Sequence, residues 1–173
     1  GFWFMWVQLT LSLPLVAERL TGSSDAVGAI DALNAGLTVL FQYPIMRVVE
    51  RRLRPLTLLI LGITVMALGL GLVAVATSMA ILVACVVIFT LGTLLATPTQ
   101  QTVTAALADE RALGSYFGVS SLALALGGSL GNVAGGLLTD VARSVGWPAL
   151  PWLTFALVGM ASAIGMAMLA RLL

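Results

Sequence analysis

Between Arg54 and Asp109 the chain carries no charged side chain, and the charges it does have fall into short clusters. These are Glu18, Arg19 and Asp25; Arg47, Glu50, Arg51, Arg52 and Arg54; Asp109, Glu110 and Arg111; Asp140 and Arg143; and Arg171. Only Asp31 lies inside an apolar stretch. A bilayer core about 30 Å thick is crossed by about 20 helical residues, and the gaps between these clusters each have room for one crossing or, from 55 to 108, for two. Only 9% of the residues are charged, against roughly 25% in a soluble domain, so a water-soluble globule is excluded and the bilayer is the expected solvent.

Six membrane helices fit the pattern, at 2–17, 26–48, 55–77, 79–107, 114–141 and 149–170, with a tight turn at Thr77-Ser78. The opening Gly-Phe-Trp-Phe-Met-Trp lacks the basic region of a secretory signal. Its abrupt start, without an initiator Met, gives the expectation of a piece of a longer protein. Cytoplasmic loops collect Arg and Lys. Arg47, Arg51, Arg52, Arg54, Arg111 and Arg171 share one side, and Arg19 and Arg143 share the other. Both ends of the segment are therefore expected in the cytoplasm, and an even number of spans agrees by putting both ends on one side.

In hydrocarbon a polar side chain needs a partner or a wet cavity, so polar stripes report what a helix face meets. The fourth helix carries Thr90, Thr93, Thr97, Gln100 and Thr104, with Gln101 beside them, and the second carries Asp31, Asn34, Thr38 and Gln42, both stripes at helical spacing. Gln8 and Ser12 stand one turn apart on the first, and Tyr116, Ser120, Ser121, Ser129 and Asn132 mark the fifth. The third and sixth are nearly free of such groups and are expected to face lipid. Ser and Thr also bond the preceding turn of their own helix or join neighbouring helices, so each single hydroxyl has a purely structural reading.

The same duality holds for the motifs. Gly127, Gly131 and Gly135 lie on one helix face, with Gly136 beside them, which suits either close packing or a contact that repacks during transport. Glu50 among Arg47, Arg51, Arg52 and Arg54 suits either a lipid anchor or an ion-pair latch. Asp31 reaches the outer rim or, facing a dry cavity, exchanges a proton. Trp3, Trp6, Trp147 and Trp152 are expected at the membrane surfaces, and Trp3, Trp6 and Met5 also offer an adaptable surface to lipophilic cargo.

Several functions are disfavoured by composition alone. The chain has no His and a single Cys, Cys85, so imidazole catalysis, an internal disulfide and a thiolate metal cluster lack their residues. No nucleophile with its base is apparent, so an enzyme is not expected, and neither is a cofactor. A net charge of +1 gives no basic surface for nucleic acid.

Six helices with peripheral third and sixth members, a charged loop between the second and third, and glycines in the fifth resemble one half of a transporter of the major facilitator superfamily, whose halves contain three-plus-three inverted repeats. The stretch Leu107-Ala108-Asp109-Glu110-Arg111-Ala112-Leu113-Gly114-Ser115-Tyr116-Phe117-Gly118, with Tyr43-Pro44-Ile45 and Leu150-Pro151-Trp152, resembles the C-terminal half of its multidrug-resistance members. The likeness covers most of the chain. The superfamily's loop motif, small-x-x-x-Asp-Arg-x-Gly-Arg, maps its acid to Glu50 and its bases to Arg51 and Arg54, with Met46 and Leu53 departing from the small residue and the Gly. The antiporter motif, Gly-x-x-x-Gly-Pro-x-x-Gly-Gly, is similar to Gly127, Gly131, Gly135 and Gly136, with Asn132 in place of Pro.

The resemblance implies an all-α, six-helix half, the seventh to twelfth helices of a proton-coupled exporter of amphipathic or lipophilic molecules in the bacterial inner membrane. Its partners would be the lipid bilayer, the N-terminal six-helix half, protons and the cargo. Gln8, Ser12, Asn34, Thr97 and Gln101 are the candidates for the substrate pathway, and Asp31 for proton coupling. Two rivals stay open: a self-contained six-helix protein that homodimerises into a channel or half-transporter, and a membrane scaffold that does not transport.

Overall fold

A computed structural model describes residues 1–108 and 113–171. The described residues form helices joined by short turns: α1 (Phe2–Trp6), a 3-10 turn (Val7–Leu9), α2 (Ser12–Thr21), α3 (Asp25–Val49), α4 (Pro55–Val73), α5 (Met79–Leu107), α6 (Leu113–Val145) and α7 (Leu150–Ala170). Local chemistry sets most boundaries. α2 ends on left-handed Gly22 at φ 69° and α6 ends just before Gly146 at φ 72°, a conformation that costs glycine no Cβ clash. Pro55 opens α4 at a position where its missing N–H has no helical acceptor to serve, and the Ser78 hydroxyl accepts the Ile81 N–H at 3.4 Å to start α5.

Three expected helices differ from the sequence reading, the fifth by running on to Val145 rather than ending at 141. The first span is not continuous over 2–17: it breaks at residues 7–11, and its second piece runs to Thr21. Pro14 explains the break. Inside an unbroken helix its ring would clash with the Thr10 carbonyl and leave it without a donor, whereas in the first turn of α2 it is tolerated. The third helix ends at Val73 rather than 77, because Ala74, Val75 and Ala76 tighten into successive i to i+3 turns.

Among the described residues four helices, α4 to α7, are long and apolar enough to cross a membrane. α3 spans 25 residues, about 37 Å at 1.5 Å per residue, but carries Asp25, Asp31 and Arg47 besides its amides. The broken first span has no single piece of crossing length.

The packing matches three-plus-three repeats in part: the first span lies on α6 as α3 lies on α5, and α4 meets α7, but the close α4–α5 contact has only a slight counterpart between the first span and α7. The centre is a seam between α4 and α5. A Cβ placed on Gly62 would sit 2.8 Å from the Ala96 N, one on Gly69 2.7 Å from the Phe89 N, and one on Gly92 2.6 Å from the Met66 N and Cγ. Backbone approach at these distances excludes any larger residue. Around the seam Met66, Leu70, Leu82, Val86, Phe89 and Phe155 are fully buried.

The expectation that the third helix is lipid-facing therefore holds for only one side of it. Half of the apolar window of α4 is buried (50%), as in α5 (56%), whereas α7 (17%) and α6 (11%) are largely open. Leu61, Leu68 and Leu72 of α4 form the outward ridge, as do Leu153, Leu157, Ile164 and Met168 of α7. α6 carries the longest open ridge, Val119, Leu122, Leu126, Leu130, Val133 and Leu137, at three- and four-residue spacing.

Candidate functional site: a polar cavity between the first span, α3 and α5

Three elements bring the sequence's polar stripes together. Asn34, Thr38 and Gln42 from α3 face Thr93, Leu94 and Thr97 from α5 across a cavity of about 220 Å³ closed by Trp6 and Leu9 of the first span. Asn34 Oδ1 accepts a hydrogen bond from the Thr90 hydroxyl at 3.1 Å, which ties α3 to α5 at the cavity edge. Thr38 and Thr93 donate to carbonyls of their own helices, at 2.8 Å each. Among the described residues the side chains of Gln42 and Thr97 form no hydrogen bond, and the Asn34 amide nitrogen is likewise unspent. These are the groups free to meet a ligand. α5 bends its chemistry here too: Pro98 lacks the N–H that would serve the carbonyl of cavity-lining Leu94. Among the described residues no charged group lines the cavity.

Of the expected pathway residues, Asn34 and Thr97 line this cavity; the others lie elsewhere. Gln8 is fully buried in the seam between the first span and α6, its Nε2 donating to the carbonyls of Gly131 at 3.0 Å and Phe4 at 3.1 Å. Its Oε1 accepts the Ser12 hydroxyl at 2.6 Å. Both side chains are thus spent on holding the broken span to α6. Gln101, one turn beyond Thr97, is exposed; its neighbour Gln100 donates to Ser120 Oγ at 3.5 Å. Asp31 continues the Asn34–Thr38–Gln42 stripe by one turn and is exposed.

The glycine motif divides in the same way. Gly127, Gly131 and Gly135 press against Trp3, Phe4 and Gln8, where an added Cβ would come within 2.9, 2.7 and 3.0 Å of those residues. Gly136 meets nothing within 4 Å and Asn132 is exposed. Glu50, Arg51 and Arg54 are exposed, and the one ion pair among the described residues is Asp140–Arg143, so the expected latch is not closed within these helices. The Asp109-Glu110-Arg111 cluster lies outside the described residues.

The aromatic expectation needs correcting. Trp152 is buried against Phe155, with ring centroids 6.1 Å apart, and Trp3 sits edge-on between Phe2 and Trp6. Trp147 alone is half exposed (51%). Met5 is fully buried against Gly159 and offers nothing to a cargo, whereas Trp6 reaches the cavity. The sequence reading missed Pro14 as a helix breaker and the glycines of the α4–α5 seam. Gly62 and Gly69, seven residues apart on one face, were the available signal.

Comparison with known proteins agrees with this architecture. The family profile of the Major Facilitator Superfamily matches residues 1–173. The chain is 38% identical over 166 residues to the multidrug resistance protein MdtH of Yersinia enterocolitica, covering 96% of this chain and 41% of that protein. It is 39% identical over 160 residues to MdtH of Edwardsiella ictaluri, covering 92% and 40%. The chain thus spans about two fifths of the length of these curated relatives. No solved structure matches significantly. With its polar cavity, apolar helices and full-length family match, this chain is a multi-pass membrane segment that belongs to the Major Facilitator Superfamily.

Proposed function

We propose that the chain is the C-terminal six-helix half of a bacterial inner-membrane exporter that moves amphipathic or lipophilic small molecules outward by proton antiport with alternating access. The carrying observation is the cavity between Trp6, Asn34, Gln42 and Thr97, which offers unspent amides and a hydroxyl beside an aromatic ring and no fixed charge. Such a lining suits neutral-faced cargo of varied shape. The open ridge of α6, with exposed Val39, Leu40 and Tyr43 on α3, supports a second half that closes over them, and the relatives are long enough to supply it. In this reading both ends of the segment are cytoplasmic, the Arg47–Arg54 loop lies inside, and Asp31, exposed one turn before cavity-lining Asn34, is the candidate acid for proton coupling.

The test is efflux of a lipophilic cationic dye from vesicles holding the full-length protein. Export that stops when the proton gradient is collapsed supports antiport. Export indifferent to the gradient refutes the coupling, and no export across a broad dye panel refutes the exporter.

A further inference from the structure

The two arginines that the sequence sets apart from the other six, Arg19 and Arg143, line the same cleft. It lies between α2, α6 and α7 at the end of the bundle opposite the Arg47–Arg54 loop and measures about 290 Å³. Arg19 comes from the last turn of α2 and Arg143 from the last turn of α6. The walls below them are apolar, built from Leu15, Val16, Ala142, Pro151 and Trp152.

The polar groups in the cleft are unequal in what they have left to give. The Ser12 hydroxyl is spent on Gln8 and the Thr139 hydroxyl on the Gly135 carbonyl, at 2.6 and 2.7 Å. The guanidiniums remain. Arg19 has no ion pair among the described residues, and Arg143 meets Asp140 only at 3.8 Å, with both side chains well exposed (64% and 76%). An exposed pair at that distance holds its partner weakly. Arg19 and Arg143 also border an adjoining cleft, where Glu18 and Asp140 stand beside them; among the described residues no acid lines this one.

We propose that this cleft binds the phosphodiester headgroup of an anionic membrane phospholipid. The two guanidiniums on its rim are the donors a phosphate would take, while an acyl chain would lie along Leu15, Val16 and Trp152. The position favours a lipid over a soluble anion: the cations sit at the helix ends, where headgroups lie, above a wall that only an amphiphile can cover. This assignment does not depend on the exported cargo or on proton coupling.

The test uses the full-length protein in vesicles containing phosphatidylglycerol that carries a photoactivatable diazirine high on one acyl chain, with cross-linked peptides mapped by mass spectrometry. Labelling is expected on the peptides holding Leu15-Val16 and Pro151-Trp152. In R19Q/R143Q it falls at least about fivefold, as loss of both charged donors implies, while labelling near Arg47–Arg54 persists. Diazirine phosphatidylcholine is expected to label the parent only at the variant's level, and millimolar glycerol phosphate is expected not to compete. The single variants R19Q and R143Q, at exposed positions, show intermediate loss and guard against a folding defect in the double. Equal labelling by both lipids, labelling unchanged in R19Q/R143Q, or displacement by glycerol phosphate would overturn the proposal.

Discussion

The Gln8 amide nitrogen donates to the Gly131 carbonyl at 3.0 Å, joining two helices 123 residues apart in sequence where the first span is broken. A broken helix in hydrocarbon leaves backbone groups without their usual partners, and such groups are costly there. Gln8 closes the gap by bonding back to Phe4, across to Gly131 and on to Ser12. Replacing Gln8 with Leu is expected to lower the stability of the full-length protein by about 1–3 kcal/mol, the cost of stranding buried polar partners. A thermal unfolding midpoint equal to the parent's would contradict the role.

The α4–α5 seam makes a sharper prediction from glycine alone. Gly92→Ala would push a Cβ to 2.6 Å from the backbone of Met66, whereas Gly128 meets nothing within 4 Å. Overpacking of this kind costs about 1–3 kcal/mol, so Gly92→Ala is expected to reduce expression and unfolding temperature of the full-length protein. Gly128→Ala is expected to change the contacts within this half little. Equal effects of the two substitutions on the unfolding midpoint would show that the seam is not the tight contact described.

Much of this was legible in the sequence, and the failures have common causes. Charge-free runs placed α3 to α7 to within a few residues, because the energetics of crossing a bilayer depend on length and polarity that composition records directly. The stripe of Asn34, Thr38 and Gln42 does meet that of Thr93 and Thr97. Gln8 and Ser12 carried an identical signal and went instead into packing: periodicity says that residues share a face, not whether the face meets a cavity or another helix. The α4–α5 seam was hidden because its close approach is made by glycine, which leaves no polar mark.

The cavity predicts a loss of cargo binding without loss of fold. Asn34→Leu and Thr97→Val remove two polar groups at similar volume. Each is expected to raise the dye concentration for half-maximal export about fivefold, the worth of roughly one hydrogen bond, with the protein still present in the membrane at parental level. An unchanged concentration dependence in both variants would remove these residues from the pathway.

Asp31 is the one acid within the polar stripe of α3. Asp31→Asn keeps the shape and removes the carboxylate, so export driven by a proton gradient is expected to fall to near background while dye exchange without a gradient persists. Gradient-driven export at the parental rate would reject Asp31 as the coupling group.

The most direct measurement is of the cavity itself. In a cysteine-free full-length background, with Cys85 replaced, a Thr97→Cys thiol would be probed with a small hydrophilic maleimide from each side of the membrane, with and without a transported dye. The thiol is expected to be labelled from a side that changes with the proton gradient, and to be protected by the dye. A thiol that is never labelled from either side, or is labelled with no protection by any transported dye, would contradict the placement of this cavity on a transport pathway.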